Sequence, residues 1–215
     1  MKRQDIGLLL KLISLQKQED ASEQCGSKKA SWPANWIDWD DAEKQLAYSE
    51  TVVWKPMTAA YTARALEQAT GISKSQINLS INRCYDVGLA RRDRHLSIPR
   101  VNTRALFDFI AHGLKYIFPA KPMEITRGIA TAFSAPVFRG KLMSAGEFAQ
   151  VWPDARGKTK GQAIEPLFSS ATFAVRQDPE MYALLALVDA IRVGQPREAN
   201  LAIDMLAERI GLSPR

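Results

Sequence analysis

Few residues of this 215-residue chain have the types and spacing that chemistry requires. The two histidines, His95 and His112, stand in no spacing that suggests a metal site or a catalytic triad. Cys25 and Cys84 lie far apart and outside any ligand pattern. They read as free thiols of a reducing compartment, not as a disulfide framework or a zinc site. Asp38, Asp40 and Asp41 read as a solvated acidic loop. Gly157-Lys158-Thr159 looks like the end of a phosphate-binding loop, but the glycine needed five positions earlier is Trp152. That stretch reads instead as a basic surface loop, with Arg156, Lys158 and Lys160 able to touch a phosphate. No pair of carboxylates stands out as a general acid and base. The expectation is a protein that is not an enzyme, with no cofactor, no metal and no catalytic residues.

A different chemistry is written between Lys74 and Arg94. Residues 74–87 are expected to be a helix. At 100° per residue, Ile77, Ile81 and Cys84 cluster on one side with Tyr85 nearby. Ser75, Leu79, Asn82 and Asp86 point the other way, flanked by Gln76, Asn78 and Arg83. Serine, asparagine, glutamine and arginine can hydrogen-bond base edges in a major groove, and Leu79 can touch a thymine methyl. Lys74 and the helix N-terminus favour a phosphate oxygen. Just beyond, Arg91, Arg92 and Arg94 suit contact with a phosphate backbone or a minor groove.

Local signals place these residues on elements. Residues 58–70 have helical composition, and Gly71-Ile72-Ser73 is a turn. Ser73 is a plausible N-cap with Gln76 as its capping-box partner, and Gly88 suits the C′ position. Leu89–Arg92 and Leu96–Ile98 read as two strands around a polar turn, a wing at 89–98 ending at Pro99. Asp5 can cap a first helix whose apolar stripe is Ile6, Leu9, Leu10 and Ile13. Residues 17–56 read as an insertion that begins as a polar loop and becomes rich in tryptophan and acid, with Trp32, Trp36, Trp39 and Trp54 packing on the core. Asn102 can cap a helix over 103–117. The segment 119–163 carries the weakest signal, short strands or an extended basic loop. Asp178-Pro179 and Pro196 open two C-terminal helices.

Charge supports the same focus. The net charge is +6. Residues 57–100 hold seven basic and three acidic side chains, and residues 101–163 hold nine and four. The excess therefore sits mid-chain, where a polyanion such as nucleic acid would be met. No uncharged apolar run reaches the 18 or so residues that a spanning helix needs. With no secretory signal evident, a cytoplasmic protein is expected.

The stretch Leu66-Glu67-Gln68-Ala69-Thr70-Gly71-Ile72-Ser73-Lys74-Ser75-Gln76-Ile77 resembles the helix-turn-helix of bacterial MarR-like winged-helix regulators. Two positions depart from that pattern: Glu67 stands where the family usually has alanine, and Thr70 where it has a hydrophobic residue. The similarity covers about residues 57–100. It implies a mainly α fold with a small β component: a winged helix-turn-helix domain over 1–100, and a C-terminal mostly helical domain over 101–215 for oligomerisation. The segments FIAHGLKYIFPAK, TRGIATAFSAP and LVDAIRVGQPREANLAIDMLAERI resemble an uncharacterised accessory domain of such regulators, which implies no activity.

The function this implies is a sequence-specific transcriptional regulator. Its DNA-binding set would be Lys74, Ser75, Gln76, Asn78, Leu79, Asn82, Arg83, Arg91, Arg92 and Arg94, with double-stranded DNA as partner. One such unit reads only a short half-site, so a homodimer is expected, built from the terminal helices 1–16 and 178–210. The alternative is an antitoxin-like protein-interaction module of a defence or toxin–antitoxin locus, with residues 32–54 as its contact surface for a protein partner.

Overall fold

In the computed structural model the described residues are 1–25, 32, 33, 35–40, 57–141 and 148–212. The first helix, α1 (Arg3–Cys25), is both earlier and longer than the sequence suggests. Asp5 is not its cap but sits in its first turn, where its carboxylate accepts the Lys2 backbone N–H at 2.7 Å. Residues 5–14 are buried on every side, including Leu8 and Leu12 as well as the expected stripe. A helix with apolar residues on all sides lies inside the protein instead of on it, and its buried Asp5, Lys11 and Ser14 are each paired there. The stretch from Gln16, read as the start of a loop and then of the insertion, continues the helix to Cys25. Gln, Lys, Glu and Ala are good helix formers whatever their polarity. Its polar turns are tied down by Lys17 to Glu180 (2.6 Å) and by Glu19 to Arg100 (2.5 Å).

A 3₁₀ turn (Met57–Tyr61) leads into α2 (Ala63–Thr70), and after a short turn comes α3 (Lys74–Asp86). A two-stranded antiparallel hairpin follows, β1 (Ala90–Arg92) and β2 (Pro99–Val101), with Arg91 opposite Arg100. The second strand thus starts at Pro99, where the sequence reading had the hairpin end. Leu96 and Ser97 belong to the turn. Ser97 takes φ 56°, and the Asp93 carboxylate accepts the N–H groups of His95 and Leu96.

Asn102 caps α4 (Thr103–His112) through the Ala105 N–H. The expected single helix to Ile117 is interrupted at Gly113, and a one-turn helix α5 (Leu114–Ile117) follows. The segment 119–163, read as irregular, holds three strands: β3 (Pro122–Ala130), β4 (Gln150–Pro153) and β5 (Thr159–Ile164). β3 pairs antiparallel with both others, β4 pairs parallel with β5, and the three close on themselves. So tight a closure leaves no room for side chains at the crossings. A Cβ on Gly128 would lie 2.0 Å from the Trp152 carbonyl oxygen.

Short helix α6 (Ala171–Val175) precedes α7 (Pro179–Val193) and α8 (Pro196–Arg209). Asp178 caps α7 by accepting from Glu180 and Met181, with Pro179 at the first helical position as expected. α7 is the hub, with every residue from Met181 to Arg192 buried. Tyr182 on it meets Trp36, Trp39 and Trp152 with ring centroids 6.0–6.1 Å apart. The hydrophobic core runs without a break from α1 and α3 through α7 to α8. Among the described residues, eight α-helices and five short strands make a mainly α fold with a small β part.

Candidate nucleic-acid interface

The turn between α2 and α3 is built by residues that only partly follow the family resemblance. Gly71 ends α2 at φ 70° and returns its N–H to the Glu67 carbonyl. A glycine is needed twice over here, for the left-handed backbone and for space, since a Cβ would lie 2.9 Å from Ser170 Cβ. The two departures from the family pattern both have work in this turn. Glu67 accepts the Lys74 N–H at 3.2 Å and so caps α3 from the preceding helix. Thr70 is fully buried; its hydroxyl donates to the Leu66 carbonyl at 2.7 Å and accepts the Ile72 N–H. The expected capping box is not formed. Ser73 makes no side-chain cap, and Gln76 instead accepts a hydrogen bond from Gln4 on α1 at 3.0 Å. Glu67 satisfies a different orphan donor of the same first turn, the Lys74 N–H.

The C-terminal end of α3 is closed as Gly88 suggests. Gly88 takes φ 74°, its N–H reaches the Tyr85 carbonyl, and the Leu89 N–H reaches that of Cys84. This pair of bonds is the Schellman arrangement. It turns the chain sharply and sets β1 beside the helix.

Ile77, Ser80 and Cys84 of α3 are buried, and Ile81 is half-buried. Lys74, Ser75, Asn78, Leu79 and Asn82 are exposed. Leu79 keeps half its surface in water. The amide groups of Asn78 and Asn82 make no hydrogen bond within the described residues. Arg91, Arg92 and Arg94 are exposed on the hairpin, and Arg92 is steadied by donating to the Ser97 carbonyl at 3.3 Å. Between helix and hairpin runs an open groove of about 660 Å³, lined by Asn78, Ile81, Asn82, Tyr85, Arg91 and Arg92. Helix amides form one wall and hairpin guanidiniums the other.

Two members of the sequence-derived set stand apart. Gln76 is half-buried and engaged by Gln4. Arg83 turns inward: its Nε and Nη2 donate to the two oxygens of Asp5 at 3.0 and 2.6 Å, and Nη2 also reaches Ser80 Oγ. Burial alone would push the Asp5 carboxyl up. The hydrogen bonds from Arg83, Ser80 and the Lys2 backbone outweigh it and hold the carboxyl below its usual range. Arg83 is thus a strut that fixes α3 on α1, not a side chain free for a base edge. The sequence reading missed Gln4, Asp5 and Ser80 as the groups that seat this helix. Ser80 was legible, since it falls on the same side as Ile77 and Cys84.

The remaining groups are accounted for structurally. Burial pushes the Cys84 thiol up to about 12. Trp39 is fully buried and packs on Trp32 and Tyr182, while Trp32 and Trp36 are half-buried and Ile37 is exposed; residues 41–56, Trp54 among them, lie outside the described residues. Asp38 accepts the Ala130 N–H and the Thr159 hydroxyl, and Gly157 pairs with Trp39. Gly157-Lys158-Thr159 therefore leads into β5, with Gly157 against the backbone of Gly128. Among the described residues no three His, Cys, Asp or Glu side chains group as metal ligands, and no helix is long and apolar enough to cross a membrane.

No protein family, no curated protein and no solved structure matches this chain. The functional reading rests on the geometry above.

Proposed function

We propose that the chain is a sequence-specific duplex DNA-binding regulator of the winged helix-turn-helix type. The observation that carries this reading is the groove whose walls are the uncommitted amides of Asn78 and Asn82 and the exposed guanidiniums of Arg91 and Arg92. A bidentate asparagine matches adenine in the major groove, while arginines on an adjoining hairpin match backbone phosphates. Lys74 and Ser75, at the exposed start of α3, add phosphate contacts. Arg94 extends the basic edge of the hairpin. Gln76 and Arg83 leave the base-reading set and become positioning residues.

The regulator acts as a homodimer in this proposal, but neither residues 5–14 of α1 nor α7 supplies its seam, because both are buried on every side within the chain. The antitoxin alternative needs a free tryptophan surface, and the burial of Trp39 weighs against it.

The test is fluorescence anisotropy against duplex fragments from the chain's own upstream region. Asn78→Ala with Asn82→Ala should narrow the gap between specific and random duplex by roughly 1–3 kcal/mol per lost base contact. Arg91→Ala with Arg92→Ala should weaken both duplexes alike. Tight, sequence-selective binding that survives all four substitutions would remove the assignment.

A further inference from the structure

The outer face of the small β-barrel carries a feature that the helix and hairpin do not explain. In the β3–β5 ladder, Arg127 stands directly opposite Lys160. Both are exposed, and among the described residues neither side chain has an ion-pair or hydrogen-bond partner. Directly opposed residues of an antiparallel pair have Cβ atoms about 4.5–5.5 Å apart, and like charges there repel. One step along the same face, Ile125 stands opposite Gln162; Ile125 is about half exposed, and Gln162 is exposed, with no side-chain partner among the described residues. Lys158, two residues before Lys160, is more than half exposed, and its ammonium pairs with the exposed carboxylate of Asp40 at 3.3 Å. A rigid sheet thus holds a repulsive cationic pair outward, with a polar amide and a third cation beside it. The barrel is not free to relax that repulsion: Gly128 and Gly157 approach backbone to backbone, and Asp38 ties β3 to β5.

We infer that this sheet face is a second polyanion contact, which takes the phosphate backbone of duplex DNA. The inference rests on the regulator reading and extends it, because it gives the chain a phosphate contact remote in sequence from the helix and hairpin. Charge complementarity selects the occupant. A duplex presents a dense row of phosphates with condensed counterions, and two cations carried on neighbouring strands of one rigid sheet replace two of those counterions. No base edge is read here, since the face offers one amide and little depth.

The experiment measures anisotropy of a labelled 30-base-pair duplex of random sequence from 50 to 200 mM NaCl. Four proteins are compared: the wild type, Arg127→Gln with Lys160→Gln, Arg91→Ala with Arg92→Ala, and all four substitutions together. All changed residues are exposed, and circular dichroism melts should coincide. The barrel variant should flatten the slope of log affinity against log salt by about 2, so that about tenfold less affinity is lost across the range. The fourfold variant should lose slope from both sites. An unchanged slope in the barrel variant, with loss in the hairpin variant, would overturn this inference and leave the regulator reading standing. Loss in the barrel variant alone would support this inference and count against the hairpin. Absence of wild-type binding at 50 mM NaCl would overturn both.

Discussion

Arg83 and Asp5, 78 residues apart in sequence, form a two-pronged ion pair that seats α3 on the first turn of α1. Asp5 is completely buried, whereas the Arg83 side chain keeps about a quarter of its surface. The pair is therefore asymmetric. Removing the arginine leaves a carboxylate with no escape to water, and breaking a buried pair this way costs about 3–5 kcal/mol. Partial exposure of Arg83 lowers that toward about 2–3 kcal/mol. Arg83→Ala should show this loss in urea unfolding, with duplex binding reduced only as far as folded protein is lost. Asn82→Ala should do the reverse, leaving the urea midpoint in place while selectivity falls.

Acid sensitivity follows from the same logic at two sites. The Asp178 carboxylate accepts from Lys11 at 2.7 Å and from Ser14, and it caps α7. Burial alone would raise its pKa, but the Lys11 charge and these hydrogen bonds bring it below the usual value, as Arg83 does for Asp5. A carboxyl held below its unfolded value of about 3.9 stabilises the fold fully above that pH. The contribution is lost as pH falls through the lowered folded value. Stability should therefore be flat with respect to these two groups above about pH 5 and fall steeply below about pH 4. Asp178→Asn should flatten the acid limb and lower stability at pH 7 by about 3–5 kcal/mol, because Lys11 is then buried without its counter-charge. Urea midpoints from pH 3 to pH 7 would show both effects. An acid limb identical to wild type would refute this account of Asp178.

The succession of α2, a turn at Gly71 and α3, and the outward side of α3, were legible because they depend on local signals: a glycine and a spacing of 3.6. The seating of that helix was not, because Gln4 and Asp5 meet it through contacts more than seventy residues distant. Arg83 shows the limit most clearly. On a helical wheel it flanks the exposed face, and a long guanidinium can turn either way, so only its partner decides. The closed sheet was hidden for a related reason. Its register is set by Gly128, Gly157 and Gly161 allowing close backbone approach, and glycines in a basic segment read locally as loop. The stretch after Gln16 went astray on polarity, which says loop, against propensity, which says helix.

Cys84 faces the interior beside Ile77, and burial lifts its thiol to about 12. The thiolate is the reactive species, so almost none is present at neutral pH. In a Cys25→Ser background, native protein at pH 8 should react with a thiol reagent orders of magnitude more slowly than urea-unfolded protein. Rapid native labelling would show that α3 lifts from α1 readily and exposes the thiol.

Gly71 offers the sharpest separation of fold from binding. Alanine there must adopt φ near 70° and must also displace Ser170 or Phe173, which lie 2.9 and 3.2 Å from the added carbon. The left-handed conformation costs roughly 1–2 kcal/mol for an ordinary residue, and the overlap adds to it. Gly88 has a similar φ but nothing within 4 Å of its added carbon. Gly88→Ala should therefore suffer the conformational cost alone, and Gly71→Ala should be the less stable of the two by thermal melting. If the α2–α3 turn carries DNA recognition, Gly71→Ala should also lose duplex affinity beyond its loss of folded fraction, because a shift at this turn re-aims Ser75 and Asn78 together. Equal melting of the two variants would mean that α6 yields to the added methyl and does not brace the turn.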